Sequence, residues 1–226
     1  LAWAASGVLA TGADNGNVSL WNVRSGKPYG HYPLDQYKST SSRTKKLRAH
    51  SIGALAWSPA NPKLMAVCFS TGTVKLWKTG TRIFPQTMTP VNKDSKGRSR
   101  IGSPSCVDWS PNARTLAVGD AGERGGNVWF WNVSGGNQKH KVDAHDGSSI
   151  YNVAWSPEGK FVATASSDGT ASLIDAETGE VIRKIHVSRT SGAARPDFSA
   201  DGTLMAYSCR DNTMRIWDLE KCKHVS

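Results

Sequence analysis

A two-part pattern recurs five times along this chain, and no other feature limits its fold as tightly. The first part reads Leu1-Ala-Trp3, Leu55-Ala-Trp57-Ser-Pro59, Val107-Asp-Trp109-Ser-Pro111, Val153-Ala-Trp155-Ser-Pro157 and Pro196-Asp-Phe198-Ser-Ala200. The second reads Val18-Ser-Leu-Trp21, Val74-Lys-Leu-Trp77, Val128-Trp-Phe-Trp131, Ala171-Ser-Leu-Ile174 and Met214-Arg-Ile-Trp217. The intervals Trp131 to Ile174, Ile174 to Trp217 and Trp155 to Phe198 are each 43 residues. Short runs rich in Val, Leu, Ala and Trp are punctuated by Asp14-Asn-Gly16, Pro157-Glu-Gly159, Asp168-Gly169 and Asp201-Gly202. Such turn signals join antiparallel strands as hairpins. One unit of this size cannot bury both of its faces, so neighbouring units must stack to form a core. A period of about 40–45 residues built from short strands predicts a β-propeller.

At these residues the chain resembles the WD-repeat family, and the likeness covers essentially all 226 positions. The resemblance implies an all-β fold, a β-propeller of four-stranded antiparallel blades. Expected blades run over roughly 1–34, 50–91, 104–142, 145–186 and 189–226, with basic inter-blade loops at 35–49 and 92–103. Five repeats are visible, whereas the family most often closes with seven. That leaves open a fragment of a seven-bladed ring, an unusual smaller ring, or a ring completed by a partner. The start at Leu1, without Met and inside an expected first strand, favours the fragment.

The formal charge of +10 is concentrated rather than spread. Residues 35–51 carry Lys38, Arg43, Lys45, Lys46 and Arg48 against Asp35, and residues 92–104 carry Lys93, Lys96, Arg98 and Arg100 against Asp94. These thirty residues hold +7 of the +10. The distance between equivalent Trp residues grows to 54 from Trp3 to Trp57 and to 52 from Trp57 to Trp109, so both basic segments are insertions between repeats. By the resemblance, both joints open on one face, and Arg124, in a glycine-rich turn spanning 119–126, joins them there. A contiguous basic surface of this kind suits an acidic protein or a nucleic-acid backbone. Long surface loops also collect solvated charge with no partner.

The family ties a Ser/Thr, a His, a turn Asp and a Trp into a hydrogen-bonded tetrad, and the resemblance maps incomplete versions onto this chain. The first repeat has Thr11, Asn15 and Trp21, and the second His50 and Trp77 with Thr71 at the Asp position. The fourth has His145, Thr164 and Asp168 but Ile174 in place of Trp, and the fifth Asp211 and Trp217 with Tyr207 at the Ser/Thr position. Both His residues are read as structural, because buried polar groups normally have partners. Most of the nine tryptophans recur at fixed places and are read as wedges between blades. Trp129 differs, since its equivalents are Ser19, Lys75, Ser172 and Arg215, and it is expected to be a half-exposed anchor.

No catalytic, cofactor-binding or metal-binding residue is assigned. Only Asp108 and Asp197 place acids near the expected first strands, and the Gly119–Gly126 run lacks the Gly-Lys-Ser/Thr ending of a phosphate loop. Cys68, Cys106, Cys209 and Cys222 have no metal-binding or redox spacing and read as free thiols of a reducing compartment, cytoplasm or nucleus. No apolar run reaches the length that spans a bilayer, so no membrane insertion is expected. The reading is a non-enzymatic scaffold or adaptor that binds other proteins of a larger intracellular complex. The alternative is an RNA- or ribonucleoprotein-associated propeller that grips phosphates through its basic face.

Overall fold

The computed structural model describes residues 1–34, 36–38, 47–93, 99–121, 125–186, 193–209, 212–221 and 223–224. Their strands form five four-stranded antiparallel sheets, in each of which spatial order follows chain order, plus two separate two-stranded ladders. The chain divides into two compact units, Leu1–Pro104 and Ser105–Ser226.

The first unit holds two blades. Blade 1 comprises Ala2–Trp3, Val8–Gly12, Asn17–Asn22 and Lys27–Pro33, and blade 2 comprises Ile52–Trp57, Leu64–Phe69, Thr73–Lys78 and Gln86–Met88. One apolar cluster joins them: Ala10, Val18 and Leu20 of blade 1 pack with Ile52, Leu55, Met65, Val67 and Trp77 of blade 2. The Trp57 indole N–H donates to the Ala2 carbonyl at 3.1 Å, and Tyr32 meets Trp77 with ring centroids 5.1 Å apart. These tryptophans are the wedges that the repeat pattern predicts.

The second unit holds three blades: Pro104–Trp109, Thr115–Asp120, Gly125–Asn132 and Gln138–Gly147; then Ile150–Trp155, Phe161–Ser166, Thr170–Asp175 and Val181–His186; then Ala193–Phe198, Leu204–Cys209, Met214–Asp218 and Lys223–His224. Blade 4 shows how one sequence serves two cores. Successive side chains of a strand point to opposite faces. Val162 and Ile174 therefore join a cluster with Cys106, Ala117, Val128 and Phe130 of blade 3. Their neighbours Ala163, Ala165 and Leu173 join a second cluster with Met205, Tyr207 and Cys209 of blade 5. A strand covered on both faces has no reason to alternate apolar with polar, and Phe161–Ser166 is buried at every position after the first.

The recurrent Ser of the Trp-Ser-Pro motif has a definite local function. In blades 3, 4 and 5 the hydroxyl of Ser110, Ser156 or Ser199 accepts the N–H of Thr115, Phe161 or Leu204, each at 2.9 Å, and closes the first hairpin. In blade 2 the turn is one residue longer, the Ser58 N–H reaching the Leu64 carbonyl, and the Ser58 hydroxyl is left without a partner among the described residues. At the Asp168-Gly169 turn, Gly169 has φ 79°, the left-handed conformation that the sequence anticipates there.

Two expectations are corrected. The glycine-rich segment 119–126 is not one long turn: Gly119 and Asp120 finish one strand and Gly125 begins the next. A Cβ on Gly119 would lie 2.5 Å from the Cys106 sulfur and 2.8 Å from Ile150, so this glycine serves close packing between blades 3 and 4. Trp129 is not an anchor at the surface. It is fully buried between Val128 and Phe130, both also fully buried, in a strand covered on both faces.

Candidate functional site

The densest polar group lies between blades 3 and 4. His145, near the end of the strand Gln138–Gly147, is fully buried. Its Nδ1 lies 3.1 Å from Asp168 Oδ2 and 3.0 Å from the Thr170 hydroxyl, and its Nε2 lies 2.7 Å from the Thr164 hydroxyl. Burial pulls the imidazole below its ordinary value of 6.5, against the opposing pull of Asp168. The ring is therefore neutral at neutral pH, and we assign the proton to Nδ1, shared by Asp168 and Thr170, while Nε2 accepts from Thr164. Burial also raises the Asp168 carboxyl. The Thr170 hydroxyl at 2.7 Å and backbone N–H at 2.8 Å outweigh it, with help from His145, and hold the group below the usual carboxylate range. Ser172 donates to the Ala144 carbonyl at 3.1 Å and completes the layer.

Thr164, His145 and Asp168 are thus brought together with Ile174 buried where the family has Trp. The arrangement superficially resembles a nucleophile, base and acid. Both ring nitrogens are engaged, however, and Thr164 has no exposed surface, so an outside substrate cannot reach it. Thr170 was not singled out by sequence, although its place two residues after Asp168 lets hydroxyl and N–H grip the same carboxylate oxygen.

In blade 1 the Trp21 indole N–H donates to the Thr11 hydroxyl at 3.0 Å, while the side chain of Asn15 binds the N–H of Asn17 in its own turn. In blade 2 the position equivalent to Thr11 is Val67, which has no hydroxyl, and Trp77 donates instead to the Thr81 carbonyl at 2.8 Å. Thr71 meets Thr73, at 3.4 Å between hydroxyls. His50 is half-buried. In blade 3 Val118 holds the same position, and the Trp131 indole finds no acceptor among the described residues. In blade 5 Trp217 is half-buried opposite Met205, and Asp211 lies outside the described residues.

Blades 3 and 4 are also tied at their first strands. Asp108 accepts the Trp109 N–H at 2.9 Å and the Trp155 N–H of blade 4 at 2.8 Å. Burial lifts its carboxyl from 3.8 to about 6, against these two N–H groups, with Asp197 adding to the rise and Arg195 opposing it. Ser105 donates across the same joint to the Ile150 carbonyl at 2.7 Å. Among the described residues no group of three or more His, Cys, Asp or Glu side chains is placed to hold a metal ion.

Parts of both basic segments form antiparallel ladders. Gln36–Lys38 pairs with Leu47–Ala49, placing Tyr37 opposite Arg48 and Lys38 opposite Leu47. Val91–Lys93 pairs with Ser99–Ile101, placing Asn92 opposite Arg100 and Lys93 opposite Ser99. Each insertion is therefore a hairpin with an antiparallel stem. Arg43, Lys45, Lys46, Lys96, Arg98 and Arg124 lie outside the described residues, as does Cys222. Cys68, Cys106 and Cys209 are buried and not in disulfides. No helix among the described residues is long and apolar enough to cross a membrane.

Residues 127–194 match the family described as anaphase-promoting complex subunit 4 WD40 domain, and residues 41–78 and 184–218 match the WD domain, G-beta repeat. The chain is 27% identical over 181 residues to Protein groucho of Drosophila melanogaster, covering 78% of this chain and 23% of that protein. It is 26% identical over 201 residues to WD repeat-containing protein slp1 of Schizosaccharomyces pombe, covering 86% of this chain and 36% of that protein. The chain thus spans well under half the length of these relatives. The second repeat match begins inside the fourth strand of blade 4 and ends at Asp218, the last residue of the third strand of blade 5. This match therefore spans the end of blade 4 and most of blade 5, and on this repeated architecture the chain belongs to the WD-repeat family.

Proposed function

We propose that the chain is a non-catalytic scaffold that joins proteins within an intracellular assembly, in the cytoplasm or nucleus, and that its two basic hairpins receive an acidic protein surface. The observation that carries the reading is the concentration of +7 of the +10 net charge in two insertions whose stems are ladders separate from every blade. A concentration of Lys and Arg raises both the rate and the selectivity of encounter with acidic partners.

Four further observations support it. The one Thr-His-Asp constellation is consumed inside the blade 3–blade 4 layer. Burial pushes the Cys106 thiol up to about 12, far from a reactive thiolate. One matched family is, by its description, a domain of a complex subunit. Three buried cysteines outside disulfides suit a reducing compartment.

The test is retention on immobilised polyglutamate and on RNA at about 50 and about 200 mM salt, for the wild type and for a variant with Lys45, Lys46, Arg98 and Arg100 changed to Ala. Polyglutamate binding that weakens with salt and disappears in the variant is expected. Equal binding by both proteins refutes the hairpin reading, and retention on RNA alone transfers the surface to the nucleic-acid alternative.

A further inference from the structure

Two bonds tie a blade to the one after it, both at the first strand. Between blades 1 and 2 the Trp57 indole N–H donates to the Ala2 carbonyl at 3.1 Å. Between blades 3 and 4 the Trp155 backbone N–H donates to Asp108 Oδ2 at 2.8 Å. In the repeat, Ala2 and Asp108 hold the position of Asp197 in blade 5, and Trp57 and Trp155 hold the position of Trp3 in blade 1. Asp108 and Asp197 share one habit: the Oδ1 of each accepts the N–H of the next residue at 2.9 Å. The second oxygen of Asp108 takes the N–H of the following blade. Asp197 is exposed, so its second oxygen is within reach of a donor from outside.

The faces beside these two residues match the same interface. Leu9 of blade 1 is half-buried, whereas Met65, Leu116, Val162 and Met205, which hold its place in the other blades, are fully buried. Trp3 is 62% exposed. On blade 5, Ala206 and Ile216 pair across the ladder as Ala163 and Leu173 do in blade 4, and Met214 holds the place of Ala171. Ala163, Ala171 and Leu173 pack against blade 5, whereas Met214 is 67% exposed. Exposed apolar residues grouped on one face mark an interaction surface, and Trp is the residue most often found at its centre. The repeat itself specifies the occupant. What belongs on this face of blade 5 is a first strand with a Trp at the position of Trp155, and the chain carries such a strand in blade 1 with its Trp exposed.

We propose that blade 5 of one copy of this chain receives blade 1 of a second copy, Trp3 donating its backbone N–H to Asp197 Oδ2 and its indole N–H to the Asp197 carbonyl, while Leu9 and the Trp3 ring cover Met214 and Ile216. The contact is head to tail, so each copy keeps one end for the next. It uses neither basic hairpin and goes beyond the acidic-partner reading.

The test is sedimentation velocity of the 226-residue chain from about 1 to about 100 µM, at about 200 mM salt to screen repulsion between copies. Association that grows with concentration is expected. Trp3→Ala removes the blade 1 half and Met214→Asp places a charge in the blade 5 half. Each should weaken association at least about tenfold, and because both side chains are exposed, thermal unfolding should stay within about 0.5 kcal/mol of the wild type. Mixed at about 100 µM each, the two variants should form a one-to-one dimer, since one retains its blade 5 half and the other its blade 1 half. Ile182→Asp, at a side chain 48% exposed on the outer strand of blade 4, should associate like the wild type. A wild type that remains monomeric throughout, folded variants that associate unchanged, a mixture that stays monomeric, or loss of association in Ile182→Asp overturns the proposal. None of these results bears on retention by polyglutamate, so the hairpin reading is tested separately.

Discussion

Replacing Asp108 with Asn should abolish the pH response of the joint between blades 3 and 4. The carboxylate spans the joint, taking the N–H of Trp109 on its own blade and of Trp155 on the next. Burial raises its value from 3.8 to about 6 in the folded protein. The folded state then holds a proton that the unfolded chain has already released, so the contribution of this group to stability is full below about 3.8 and is lost as pH rises through about 6. At about 1.4 kcal/mol for each unit, the shift corresponds to at most ~3 kcal/mol, and about 2 kcal/mol is expected because the group is only half-buried. Urea unfolding followed by tryptophan fluorescence at about pH 4 and about pH 7 gives the wild-type stability minus that of Asp108→Asn. Taking the difference cancels the titrating groups that do not interact with Asp108, His145 included. It should fall by about 2 kcal/mol between the two pH values. A difference that stays constant or grows with pH refutes the argument.

Four further outcomes follow from the same contacts. Ser156→Ala removes a hydroxyl that closes a hairpin and should cost about 1 kcal/mol in urea unfolding, whereas Ser58→Ala, at a hydroxyl without a partner, should be neutral or slightly stabilising. Gly119→Ala drives a methyl against Cys106 and Ile150 and should cost about 1–3 kcal/mol in the same assay. Trp129→Ala empties a fully buried site and should cost about 3–5 kcal/mol, an amount that a surface anchor would not show. His145 is held below 6.5, so stability should fall as pH drops through that value and the unfolded imidazole takes up its proton; His145→Gln should flatten this arm of a stability–pH curve.

The strand plan was readable because hairpin turns and β-strands are written in local residue choices. Asp168-Gly169 marks a turn by backbone preference, and Val18-Ser-Leu-Trp21 alternates buried with half-buried side chains. The Thr164, His145 and Asp168 set was readable for the same reason, since each lies at a fixed offset within its repeat. What stayed hidden depends on what lies across a face. Gly119 looks like turn glycine until the Cys106 sulfur is seen beside it, and Trp129 looks exposed by comparison with Ser19 and Arg215 until both faces of its strand are found covered. Trp77 keeps the family residue but loses the family bond, because Val67 across the ladder offers no hydroxyl. The Tyr207 hydroxyl, buried and unmatched among the described residues, was likewise invisible, as a departure from Ser/Thr says nothing of where a longer side chain ends. The basic insertions were located by spacing and charge, but their antiparallel stems were not, since three-residue strands carry too little pattern to register.

The scaffold reading stands or falls on where an acidic partner touches. Amine acylation read by mass spectrometry, with and without polyglutamate at about 50 mM salt, compares the hairpin lysines Lys38, Lys45, Lys46, Lys93 and Lys96 with the exposed blade lysines Lys63 and Lys160. The account predicts protection of the five hairpin lysines and unchanged labelling of Lys63 and Lys160. Uniform protection, or protection confined to the blades, would contradict it.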